Sequence, residues 1–345
     1  MSEQISPFQR PEIPVVGSGS DQRKKEVEEE LQKNFSHNRE QLKPQALVRL
    51  KMLEYQKHDF EKAAIQEINR LLNKILEELG ISSFDIPAEN IYSVPKSLYK
   101  EIDESTHDTN GFTAHREQII VLNSEELDQP YTRISVLLHE MIHLKGFVSV
   151  ETTEKQRVLR RIGIQTQSSI KRDEENNDSF RQLIGLNEAV VSELQKRLFL
   201  QVITQNPYLD EEREKIVDPV NEERIAKATK KTGLPKDEFV YVEPQGDDGW
   251  EAMTFPYLEQ RKVLNYLLNT IQKANPEQFP SQDDVFKLFL QAHFKGELLP
   301  LARAIDDTFG KGTFRIIGMM SGQDEESAYR TLAYLKKNTH LDLRA

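Results

Sequence analysis

One short stretch narrows what this chain can become: Val136-Leu137-Leu138-His139-Glu140-Met141-Ile142-His143-Leu144. Its apolar spacing predicts a helix, because Ile134, Leu137, Leu138, Met141 and Ile142 fall on one arc when residues are set 100° apart. Pro130 suits a first helical position and Gly146 a stop after the last apolar residue. Side chains four apart lie one above the other, so the imidazoles of His139 and His143 share a face at the edge of the apolar arc. Two ring nitrogens at that spacing can grip one metal ion, with the Glu140 carboxylate projecting beside the ion's open position. The plainer reading is an amphipathic helix with two incidental histidines. With 8 His in 345 residues, such a coincidence is rare.

Composition limits the donors. The chain has no cysteine, which excludes disulfides, thiolate metal sites and a cysteine nucleophile, so any zinc must be held by His, Asp or Glu. The net charge of −11 argues against a general grip on nucleic acid or on an anionic membrane surface. No apolar run approaches the length of a membrane span, and the first residues lack the apolar core of a signal peptide, so the cytoplasm is the expected location.

Residues 1–20 hold Pro, Ser and Gly without periodicity and read as disordered, and 21–42 as a charged, solvated helix interrupted by Pro44. Apolar residues recur at helical spacing from Gln45 to Leu79, including Leu47, Leu50, Leu53, Ile68 and Leu72, with Gly80 closing a long helix or helix pair. Ser97 to Ile102 is predicted as a short helix and Asp108-Thr109-Asn110-Gly111 as a turn. Gln118 to Leu122 is the strongest strand signal in the chain. An exposed edge on that strand, next to the His-bearing helix, would let an extended peptide pair with it. Gly163 to Gln167 is a candidate strand, Ser168 to Ser179 a charged mobile segment, and Leu183 to Leu200 a helix. A helix over Glu222 to Thr232 precedes an irregular stretch from Val240 to Trp250. Helical patterns then run over 257–274, 281–294, 297–309 and 322–338. Phe289, Phe294, Leu298, Leu299, Phe309, Phe314, Ile316 and Ile317 are the expected core of that end. The expected organisation is a disordered 1–20, a charged helical region at 21–80, a catalytic domain at 81–240 and a helical region at 241–345. The expected class is α+β, predominantly helical, with a small sheet beside the His-bearing helix.

A catalytic zinc takes three protein ligands and keeps one position open. Extending the motif as His-Glu-x-x-His-x-x-Gly-x-x-His fits Gly146 but ends on Ser149, a poor ligand. A later helix offers Leu186-Asn187-Glu188-Ala189-Val190-Val191-Ser192-Glu193-Leu194 instead. This pair of segments resembles the zinc-binding helices of gluzincins, the thermolysin-like metallopeptidases, over roughly residues 112–200. The resemblance implies a zincin-like catalytic domain in which His139, His143 and Glu188 bind Zn2+. It also implies that Glu140 activates a zinc-bound water to hydrolyse peptide bonds in a peptide or protein substrate. The family pattern carries an acid four residues after the ligand, supporting a zinc histidine. Here Ser192 stands at that place, and Glu193 is open as that support or as the ligand itself. A Tyr or His stabilises the oxyanion in the family, and Tyr241, Tyr257, His115 and His293 are candidates. Two other readings stand beside the peptidase: a non-catalytic regulator on a zincin scaffold, and a helical interaction module without metal.

Overall fold

The computed structural model describes residues 10, 13–35, 52, 54–99, 109–115, 117–125, 129–153, 157–171, 177–245 and 249–339. In chain order, strand β1 (Val15–Val16) leads to helix α1 (Asp21–Phe35) and then α2 (Asp59–Glu78). Strands β2 (Ile91–Val94), β3 (Gly111–Ala114) and β4 (Ile119–Asn123) precede α3 (Pro130–Lys145), the helix that carries the histidines. Strands β5 (Val148–Thr152), β6 (Arg157–Ile162), β7 (Gln165–Lys171) and β8 (Asn177–Gln182) follow, then α4 (Ile184–Gln205), α5 (Asp210–Val217) and α6 (Pro219–Thr232). A hairpin of β9 (Phe239–Gln245) and β10 (Gly249–Thr254) leads to α7 (Leu258–Ala274), α8 (Gln282–Phe294), α9 (Leu298–Phe309), α10 (Thr313–Ile317) and α11 (Glu325–Asn338). The chain is α+β and predominantly helical, and none of the described helices is long and apolar enough to cross a membrane.

Helix α3 is the central element. Pro130 opens it and Gly146 caps it, and nearly every side chain between Tyr131 and Lys145 is buried, the histidines and Glu140 included. A helix apolar around most of its girth needs partners on several sides. It finds α2, α4 and the three-stranded sheet, and one continuous core runs from Ala64 on α2 through Leu138 and Val190 to Leu268, Phe289 and Leu335. The regions taken from sequence as 81–240 and 241–345 share that core. Helix α2 belongs to it too, tied to α3 by the buried Arg133–Glu61 pair at 3.0 Å. Residues 45–51 and 53 of the helix expected from Gln45 to Leu79, with Leu47, Leu50 and Leu53, lie outside the described residues, as do 36–42 of the charged helix expected before it.

Several expectations need correction. The strand before α3 is β4, and it has no free edge: it lies at the centre of its sheet, parallel to β2 and antiparallel to β3. The edge strands are β2 and β3, and the start of β3 was taken as turn because Asn110-Gly111 is turn chemistry. Of the segment expected to be disordered, residues 13–20 are ordered, and β1 pairs in parallel with β5 at Val15↔Val150. Of the segment Ser168 to Ser179, expected to be mobile, residues 168–171 lie in β7 and 177–179 in β8, which pair antiparallel in a five-stranded sheet ordered β1-β5-β6-β7-β8, while 172–176 lie outside the described residues. The stretch around Val240 is the β9–β10 hairpin. Of the expected C-terminal core, Leu299 is 58% exposed, whereas Phe289, Phe309 and Ile317 are fully buried.

Candidate metal centre

Two helices bring three ligand atoms to one point. His139 and His143 project from successive turns of α3, and Glu188 projects from the first turns of α4, which packs against α3. The Nε2 atoms of the two imidazoles are 3.1 Å apart. Glu188 Oε2 lies 3.3 Å from His139 Nε2 and 3.2 Å from His143 Nε2. Among the described residues, these three form the one group of at least three His, Cys, Asp or Glu able to hold a metal ion. The triangle can be tested against a metal. Tetrahedral ligands at about 2.0–2.1 Å from zinc lie roughly 3.3 Å from one another. The three observed edges match that spacing, and two nitrogens and one carboxylate oxygen are donors zinc accepts. The residues fit the ion, and among the described residues no fourth His, Cys, Asp or Glu joins the group.

The carboxylate donor is held in its ionised form. Burial would raise the Glu188 carboxyl, but the charge and hydrogen bonds of His143 and His139 outweigh it and hold Glu188 far below the ordinary carboxylate range. Burial opposes charge on His143 in turn, while Glu188 and then Glu140 pull its pKa up. His139 has a fixed tautomer. The amide nitrogen of Gln195 donates to the Ser135 carbonyl at 2.9 Å and reaches Ser135 Oγ at 2.7 Å. The amide oxygen therefore faces His139 Nδ1, at 3.1 Å. His139 donates from Nδ1 and keeps the lone pair of Nε2 toward the centre.

Glu140 stands beside the triangle and is steadied from the sheet. The Thr113 hydroxyl on edge strand β3 lies 2.8 Å from Glu140 Oε2 and 3.0 Å from the Glu140 carbonyl. Alternation along β3 turns Phe112 and Ala114 into a separate apolar cluster with Tyr92, Tyr99, Ile119 and Val121, so Thr113 faces α3. His115 follows two residues on, buried, with no partner for Nδ1 among the described residues. Burial and the charge of His143 push its pKa well below that of an ordinary imidazole.

Of the oxyanion candidates, Tyr257 is the one at the centre. Its ring stacks on His139 with centroids 5.7 Å apart and planes 20° from parallel. The charge of Glu188, burial, the charge of Glu140 and a hydrogen bond to Glu188 keep its phenol protonated well above the usual range. His293 braces the site from behind: Nδ1 lies 3.1 Å from Asn187 Oδ1 and Nε2 3.3 Å from the Ile142 carbonyl. Burial, with the charge of His143, lowers its pKa from 6.5 to about 3. The Tyr241 side chain lies outside the described residues.

Glu193 is neither ligand nor support for a histidine. It points away from the triangle and pairs with Arg197 at 2.9 Å and with Arg261 at 4.0 Å. The support comes from Gln195, two helical turns after Glu188, where sequence reasoning looked for an acid one turn after it. Position i+7 shares a helix face with i, and that was the signal available.

Among known proteins, no family model, curated protein or solved structure matches this chain.

Proposed function

We propose that this chain is a zinc-dependent peptidase with a gluzincin-type centre on a zincin-like fold. The observation that supports this reading above all is the triangle of His139 Nε2, His143 Nε2 and Glu188 Oε2, with edges of 3.1, 3.2 and 3.3 Å, and the Glu140 carboxylate beside it. A zinc ion held there would supply Lewis acidity and lower the pKa of a water in its open position. Glu140 is the general base: it takes a proton as the water oxygen bonds to the peptide carbonyl carbon, and returns it to the nitrogen as the C–N bond breaks. Thr113 aims the Glu140 carboxylate. The Tyr257 hydroxyl is the donor for the carbonyl oxygen as negative charge develops on it. Edge strand β3, with Thr113 on it, is the place for an extended peptide to pair, since its outer side has no strand partner among the described residues.

The deciding experiment uses full-length protein purified without a histidine tag. Elemental analysis should find one zinc per chain, and a quenched-fluorescent peptide mixture should be cleaved. Glu140→Gln should abolish cleavage with zinc still bound. Zinc without cleavage of any peptide would favour a regulator built on this scaffold, and protein with no metal after zinc loading would favour a helical interaction module.

A further inference from the structure

Tyr257 is held in an unusual backbone conformation, and what holds it lies outside the metal triangle. Its φ of 56° and ψ of 39° place a non-glycine residue in the left-handed region at the N-cap of α7. A residue stays there only where its surroundings fix it, and such positions cluster at functional sites. The φ of Tyr257 turns on the orientation of the peptide plane joining it to Pro256. The Pro256 carbonyl in that plane is gripped twice. Ser192 Oγ donates to it at 2.7 Å, and Arg261 Nε donates to it at 3.0 Å. Arg261 also reaches the Phe255 carbonyl at 3.3 Å, and its own backbone N–H donates to the Tyr257 carbonyl at 2.9 Å.

Arg261 is itself held by several partners. Its guanidinium is wholly buried and meets Glu238 through both fork nitrogens, with Nη1 to Oε1 at 2.9 Å and Nη2 to Oε2. Lys196 Nζ adds a second charge on Glu238 at 2.7 Å. Ser192 is one helical turn beyond Glu188 on α4, so the same helix that presents the third ligand also sets the Pro256 plane.

We infer that Ser192, Arg261 and Glu238 form a latch that fixes the Tyr257 turn, acting as positioning residues for the phenol over His139. This rests on the reading of Tyr257 as the oxyanion donor. Without the latch the Pro256–Tyr257 plane turns, Tyr257 relaxes to negative φ, and its ring leaves His139. The place where the thermolysin-like pattern supports a histidine is here given to the tyrosine.

The test uses full-length protein labelled with 13C on the tyrosine ring, with the Tyr257 resonance assigned by its loss in Tyr257→Phe. In metal-free and zinc-loaded protein, Ser192→Ala and Arg261→Lys should move that resonance toward those of exposed tyrosines, and Ser192→Thr should restore it. With zinc and a peptide mixture, Ser192→Ala should lower kcat by about 10- to 100-fold, with KM and zinc stoichiometry unchanged. Added to Tyr257→Phe, it should lower kcat no further. An unmoved resonance in Ser192→Ala, or an additional loss in the double variant, would overturn the latch. Wild-type turnover by Tyr257→Phe alone would overturn the catalytic reading of the tyrosine instead, and the ring resonance would still decide the latch.

Discussion

Gln195 Oε1 lies 3.1 Å from His139 Nδ1, and its orientation is dictated by the two contacts that Gln195 Nε2 makes with Ser135. Helix α3 thus supplies both His139 and the anchor that orients the histidine's partner on α4. Partners of this kind fix the tautomer of a metal-binding histidine, and their loss typically costs 10- to 100-fold in affinity. Gln195→Ala should weaken zinc binding by about that factor, read by competition with a fluorescent chelator. Unchanged affinity would mean that α3 alone orients His139.

Gly163 predicts a different kind of damage. Its φ is +57°, and a Cβ there would lie 2.5 Å from both Asn187 Oδ1 and His293 Nδ1. Asn187 adjoins Glu188 and also accepts the Ile164 N–H at 2.9 Å. Gly163→Ala should therefore destabilise the fold by about 2–4 kcal/mol, through strain and overpacking together. It should also weaken zinc binding by shifting Glu188. Urea unfolding and the same chelator competition check the two effects.

The Glu61–Arg133 pair ties α2 to α3 with both side chains buried. Removing Arg133 leaves the buried Glu61 with the His58 N–H at 2.7 Å but without its opposite charge, so Arg133→Ala should cost about 3–5 kcal/mol. Replacing both, as in Glu61→Gln with Arg133→Met, keeps an acceptor for the His58 N–H and should recover most of that loss. A double variant as unstable as the single one would show that the pair's geometry, rather than its charge balance, holds the helices together.

Lys145 carries a pH signature. Burial, with Arg10 adding and Asp85 opposing, lowers its pKa from 10.5 to about 7. Between those values the unfolded chain binds a proton that the folded chain does not, so folding stability rises with pH across that window. The slope is on the order of 1.4 kcal/mol per pH unit. Below about 7 both states are protonated and the full penalty of the buried charge is present. In metal-free protein, wild type should gain stability over Lys145→Met as urea unfolding is moved from pH 7 to pH 9 (roughly the middle of the window). Parallel profiles would contradict a depressed pKa.

What sequence revealed of the site was what local periodicity carries. The apolar arc and end signals of α3 placed His139, Glu140 and His143, and the apolar run around Glu188 placed the third donor on its own helix. Gln195 was missed because attention stayed one turn beyond Glu188. Tyr257 was one of four equal candidates, since its αL turn depends on Ser192 and Arg261, which no local pattern joins to it. The share of β7 and β8 that falls within Ser168 to Ser179 was read as mobile, because Ile170 is the one apolar residue of that stretch. Its order comes from pairing with neighbouring strands, which is written in register rather than composition. The two-residue β1 likewise exists only because β5 is there to receive it.

That first strand has a further role. Val150 N–H donates to the Pro14 carbonyl and Gly19 N–H to the Thr152 carbonyl, each at 3.0 Å, while Ile13, Val15, Val27 and Leu31 cover Val148 and Val150. Bare, β5 would offer a row of unsatisfied amides and aliphatic side chains to any passing chain, the template from which sticky oligomers grow. The leading segment works as a built-in sealant, and a nick ahead of Asp21 should raise self-association, read by light scattering against the intact chain.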